Sequence, residues 1–129
     1  MSGQPKILVI DDNEEILSIL HLILERHAYA TISKTRIDDI INTALDISPD
    51  LVLLDKNLGY TDGCDLCRRL KTNDDSSHIP VIMFSAYHKQ KGPCLSAGAD
   101  DFVEKPFRMK ELLEKIDGLI DQPPAPQLC

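Results

Sequence analysis

Positive charge is what this chain is short of: 14 Lys and Arg stand against 21 Asp and Glu, a formal net charge of −7. A nucleic-acid surface needs a basic stripe to displace counterions, so direct nucleic-acid binding is not expected. Long apolar runs are missing too, and those present are far below the ~20 residues that a membrane span requires. Met1-Ser2-Gly3-Gln4-Pro5 is polar and lacks the shape of a secretory leader, which makes the cytoplasm the expected compartment. No histidine follows any of the apolar runs, and this removes a base-activated serine nucleophile. Cysteine is limited to Cys64, Cys67, Cys94 and Cys129. Cys64 and Cys67 form a CxxC pair; the redox version of that motif opens a helix after a strand, and a zinc version needs a second ligand pair, which does not exist here. They read as buried or half-buried thiols, with Cys129 an exposed free thiol on a tail.

What is present fits one domain of 129 residues, 43% hydrophobic and 27% charged, enough to bury a core. Short apolar runs alternate with helical periodicity. Residues 6–10 form a run that ends abruptly at Asp11-Asp12, and residues 51–54 form a second that ends at Asp55. A third, Pro80-Val81-Ile82-Met83-Phe84, ends at Ser85, and Phe102-Val103 is a short strand closed by Lys105-Pro106. Between them, Ile16, Leu17, Leu20, Ile23 and Leu24 mark a helix over residues 14–27. A short strand is expected over residues 28–33. Ile37, Ile40, Ile41, Ala44 and Leu45 mark a second helix, and Leu66, Cys67 and Leu70 a third. Met109, Leu112, Leu113, Ile116, Leu119 and Ile120 mark the last. Five strand–helix alternations predict an α/β domain, a doubly wound parallel sheet covered on both faces.

In such sheets the site lies beyond the carboxyl ends of the strands. Asp11, Asp12, Asp55, Ser85 and Lys105 should therefore converge on one cleft. Three carboxylates against one ammonium leave an excess of negative charge, which a divalent cation offsets. Mg²⁺ takes oxygen ligands, commonly one or two carboxylates plus waters and a phosphate. A carboxylate is an accepted nucleophile toward phosphorus, and Lys105 and Ser85 offer a cation and a donor for phosphoryl oxygens. Each residue alone has an ordinary explanation: a helix cap for the aspartates, a strand-end hydroxyl for Ser85, a surface charge for Lys105. Their coincidence at four strand ends favours a Mg²⁺-assisted phosphate site.

At these positions the sequence resembles the receiver domain of two-component response regulators. The likeness rests on Ile7-Leu8-Val9-Ile10-Asp11-Asp12-Asn13, on Leu51-Val52-Leu53-Leu54-Asp55 followed by Thr61-Asp62-Gly63, and on residues 80–86 and 97–107. It implies a flavodoxin-like sheet of five parallel strands, order 2-1-3-4-5, with five helices. It also implies that Asp55 accepts a phosphoryl group from a sensor histidine kinase or phosphotransfer protein. Asp12 and Asp55 would then bind Mg²⁺ directly, Asp11 through water and Asn57 through its backbone carbonyl. Lys105 would hold the phosphate, Ser85 would swing toward it, and Phe102 would be a switching aromatic that turns inward as Ser85 moves. Lys105-Pro106 would be a cis peptide. The product is a signalling switch rather than a turnover enzyme, read by a downstream protein or through a homodimer.

The sequence departs from the family pattern at two places. Gly59 stands where the family usually has proline, so the loop after Asp55 is expected to be less rigid. Ten residues separate Ser85-Ala86 from Ala97-Gly98-Ala99, about two fewer than usual, and they include Gly92-Pro93. A short fourth helix beginning near Pro93, with residues 87–92 as loop, is the resulting prediction. Tyr87 and Asn57, each two residues past a site residue, flank the cleft, and Tyr87 is expected to slow the approach of water. Residues 1–121 read as the receiver and 122–129 as a proline-rich tail. A phosphohydrolase of the haloacid dehalogenase type is an alternative, but it would need a second aspartate at Asn13. A pseudo-receiver that works without phosphate is another, at odds with a complete acidic set.

Overall fold

The computed structural model describes residues 4–120. Its elements are β1 (Lys6–Ile10), α1 (Glu14–Arg26), β2 (Ala30–Lys34), α2 (Ile40–Ile47), β3 (Leu51–Asp55) and α3 (Gly63–Thr72). They are followed by β4 (Val81–Ser85), a 3-10 turn (His88–Gln90), α4 (Lys91–Ser96), β5 (Asp101–Glu104) and α5 (Met109–Ile120). All strand pairings are parallel and the order is β2-β1-β3-β4-β5, as the alternation and the resemblance predict.

The continuous apolar runs have a simple cause. Successive strand residues point to opposite faces, and both faces are covered, so all of β3 and β4 and all of β1 after Lys6 are buried. Leu8, Ile10, Val52, Leu54, Val81 and Met83 pack in one core with residues of α2, α3 and α4. Ile7, Val9, Leu51, Leu53, Ile82 and Phe84 pack in the other with α1 and α5. Ile10 pairs with Leu54, so the residues that follow, Asp11 and Asp55, leave neighbouring strands at the same edge. Asp55 in turn pairs with Phe84, one residue before Ser85. The Lys105 backbone N–H donates to the Ser85 carbonyl at 2.8 Å, which fastens the ends of β4 and β5 together.

Two boundaries differ from the sequence expectation. The second strand begins at Ala30 rather than residue 28. Ala28 has φ of 67°, its N–H donates to the Glu25 carbonyl, and the Tyr29 N–H reaches back to Leu24. This is the Schellman closure of a helix, which needs a left-handed residue at that point, so the chain cannot yet be extended. The segment expected as loop over residues 87–92 is also corrected: residues 88–90 form a 3-10 turn and α4 already begins at Lys91. Pro93 falls in the first turn of α4, where the N–H it lacks has no intrahelical partner to lose, so the helix starts two residues earlier. The Lys105–Pro106 bond is cis. The tail from residue 122, with Cys129, lies outside the described residues.

Candidate functional site

The acidic cleft forms as the strand ends require. Carboxylate oxygens of Asp11, Asp12 and Asp55 lie within 4.8 Å of one another. Asp11 is fully buried, Asp55 nearly so, and Asp12 exposed. Lys105 comes from beyond β5 to place Nζ 3.0 Å from Asp11 Oδ2 and 3.4 Å from Asp55 Oδ2. The same ammonium stands 4.8 Å from the centre of the Phe84 ring, so its approach is fixed from below as well.

Backbone donors orient the carboxylates. The Asn13 N–H donates to Asp11 Oδ1 at 2.8 Å, and the Asn57 N–H to Asp55 Oδ1 at 3.1 Å. Asn13 also uses its own side chain to cap α1, accepting from the Glu15 and Ile16 N–H groups. Asp55 holds its proton up to about pH 6 because burial and the neighbouring Asp11 charge disfavour ionisation more than Lys105 and the Asn57 N–H favour it.

The donor set fits Mg²⁺. It supplies oxygen ligands only, concentrated negative charge and one exposed carboxylate to admit the ion. The raised proton affinity of Asp55 reflects the same excess of negative charge, which Lys105 alone does not offset.

The loop after β3 is built around close approach. A Cβ on Gly63 would stand 2.1 Å from the Asp55 carbonyl oxygen, so only glycine lets α3 begin there. The Gly63 N–H donates to the Lys56 carbonyl at 2.7 Å and Lys56 pairs with Asp62 at 2.8 Å, closing the loop. Gly59 has φ of 84°, and a Cβ there would meet Asp12 Oδ2 at 3.1 Å. Proline, with φ fixed near −65°, cannot take that conformation, so the departure from the family pattern is a different backbone path.

Asp11, Asp12, Asp55 and Lys105 meet in the cleft, and Asn57 and Ser85 adjoin one another beside it, Asn57 Nδ2 donating to Ser85 Oγ at 3.4 Å. Phe102, expected as a switching aromatic, is buried in the core on the α4 side. Ser85 is fully buried at the rim, where its Oγ accepts from the Tyr87 N–H at 3.2 Å. The Tyr87 side chain is 64% exposed. The side chain that closes on Ser85 is instead Gln90, whose Oε1 accepts from the Ser85 hydroxyl and from Asn57 Nδ2, the latter at 3.1 Å. Sequence reasoning missed Gln90, since only the 3-10 turn folds it back over the cleft. The CxxC pair has no part here. Burial raises the thiol of Cys64 and pushes that of Cys67 up to about 11, while Cys94 reaches about 12, so none is a ready nucleophile.

Comparison with known proteins decides the family. A model described as the response regulator receiver domain matches residues 7–117. The chain belongs to the response regulator receiver family. This receiver is 34% identical over 120 residues to the DNA-binding dual master transcriptional regulator RpaA of Synechocystis sp., covering 90% of this chain and 49% of that protein. It is 33% identical over 116 residues to the phosphate regulon transcriptional regulatory protein PhoB of Pseudomonas aeruginosa, covering 88% and 51%. The chain thus spans about half the length of these relatives. Among solved structures, the receiver domain of the sensor histidine kinase PA1611 from Pseudomonas aeruginosa superposes with a TM-score of 0.81 at 25% identity, over 92% of this chain and 98% of that one. That structure holds a magnesium ion coordinated in its active-site cleft. Among the described residues no helix is long and apolar enough to cross a membrane.

Proposed function

We propose that Asp55 is the phosphoacceptor of this receiver and that its phosphorylation is the signal. The observation that carries the reading is the cluster itself: three carboxylates within 4.8 Å with Lys105 bound to two of them. An Asp55 carboxylate oxygen attacks the phosphorus of a phosphohistidine, forming the O–P bond as the P–N bond breaks and the imidazole leaves with the electron pair. Lys105 follows the incoming charge, exchanging part of its contact with Asp11 and Asp55 for phosphoryl oxygens. Bound by Asp11, Asp12, Asp55 and the Asn57 carbonyl, Mg²⁺ would supply the remaining neutralisation of the phosphoryl group. The Asn57 and Asn13 N–H groups keep the carboxylates aimed, and Ser85 donates to a phosphoryl oxygen.

The phosphodonor has a landing place. An apolar groove of Ile16, Ile19, Leu20, Phe107 and Met109 runs up to Lys105 and Pro106, and Ile19 is 57% exposed. Continuity with Lys105 suits it to a sensor kinase or phosphotransfer protein carrying the phosphohistidine. Strands β4 and β5, which carry Ser85 and the buried Phe102, are the side we assign to a downstream protein or a second copy. We take residues 1–121 as the switch and residues 122–129 as its tail. Three free buried cysteines among the described residues suit a reducing cytoplasm. The phosphohydrolase alternative loses support because Asn13 caps α1 where a second catalytic aspartate would be required.

The test is covalent labelling by acetyl phosphate with and without Mg²⁺, read by intact mass. A gain of one phosphoryl group that needs Mg²⁺ and disappears in Asp55→Asn supports the proposal. Labelling that survives in Asp55→Asn overturns it.

A further inference from the structure

Ser85 has one hydroxyl hydrogen and two acceptor positions, and all three are in use. Its oxygen accepts from the Tyr87 N–H at 3.2 Å and from Asn57 Nδ2 at 3.4 Å. Its hydrogen goes to Gln90 Oε1. Gln90 is half-buried, at the last position of the 3-10 turn that leads into α4. The same Oε1 accepts from Asn57 Nδ2 at 3.1 Å, so one carboxamide oxygen ties the loop after β3 to the end of β4.

We propose that Gln90 is a positioning residue that latches the unphosphorylated site by holding the Ser85 hydroxyl and the Asn57 amide. The inference rests on the phosphoacceptor reading of Asp55 and deepens it. A phosphoryl group on Asp55 needs the Ser85 hydrogen as a donor, and a hydroxyl cannot give one hydrogen to two acceptors. Phosphorylation therefore exchanges the Ser85–Gln90 bond for a Ser85–phosphoryl bond. The released carboxamide is attached to the 3-10 turn, and that turn is continuous with α4, so the exchange frees the start of α4. The latch has a direction: it favours the unphosphorylated form by the worth of the bonds that must open.

Removing the carboxamide should ease phosphorylation. Gln90→Ala is expected to raise the initial rate of acetyl phosphate labelling in excess Mg²⁺ about fivefold, equivalent to about 1 kcal/mol, the net worth of one such hydrogen bond. In that reaction the Asp55 O–P bond forms as the P–O bond of acetyl phosphate breaks and acetate leaves with the electron pair. Gln90→Glu keeps the acceptor and adds a negative charge facing the phosphoryl group, so it should label more slowly than wild type. The effect must pass through Ser85: in a Ser85→Ala background, Gln90→Ala should change the rate by less than about twofold, as coupling through one shared bond requires. A purely structural role for Gln90 would move both backgrounds alike. If the wild-type chain takes up no phosphoryl group, the phosphoacceptor reading falls and the latch with it. If wild type is labelled and Gln90→Ala is labelled no faster, or the gain persists without the Ser85 hydroxyl, the latch alone is overturned.

Discussion

Asp55→Asn should stabilise the metal-free protein, although it removes the proposed phosphoacceptor. Folding takes the Asp55 carboxyl from an ordinary 3.8 to about 6, mainly through burial and then through the Asp11 charge. A shift of about two units at roughly 1.4 kcal/mol each is a cost of about 3 kcal/mol borne by the folded state at neutral pH. The folded form binds the proton more tightly than the unfolded form, so stability from this group falls as pH rises from about 4 to about 6. Above that window the full cost is present, and below it none remains. Asparagine resembles the neutral acid in shape and has no proton to lose, so the variant escapes the cost. Urea denaturation in chelator at about pH 7.5 should show the Asn variant more stable by about 2–3 kcal/mol, with the gap closing near pH 4. Excess Mg²⁺ should stabilise wild type far more than the variant, since it offsets the same charge. A variant no more stable at neutral pH, or equally favoured at both pH values, would refute the electrostatic account.

Two further substitutions probe the loops around the site and α1. Gly63→Ala puts a methyl 2.1 Å from the Asp55 carbonyl oxygen, so the Asp55 backbone must shift. It is expected to cost about 1–3 kcal/mol by urea denaturation and to slow acetyl phosphate labelling together with it. Ala28→Gly relieves the left-handed backbone at φ 67° after α1 and should stabilise the chain by about 1 kcal/mol with labelling unchanged. A loss of stability there would show that the Ala28 methyl packs better than the strain it carries.

The fold and the acidic cluster were legible because both follow from alternation and from strand ends. A parallel sheet with both faces covered turns each strand into an apolar run, and the polar residue that ends the run must emerge at the carboxyl edge. Asp11, Asp55 and Ser85 each carry that signature in one dimension. The limits of the second strand were less readable, because the Schellman closure depends on hydrogen bonds from Ala28 and Tyr29 back to α1 that Ala28 does not announce by type.

The sequence by itself determined which groups gather: oxygen acids and one lysine, placed by the period of the strands. Tertiary structure alone decided how those groups are balanced and restrained. The proton affinity of Asp55 comes from burial and from a neighbour 44 residues away in the chain, and the grip on Ser85 comes from a glutamine brought back by a 3-10 turn. Charge balance and hydrogen-bond partnership are set by distance in space, and distance in space exists only once the chain has folded.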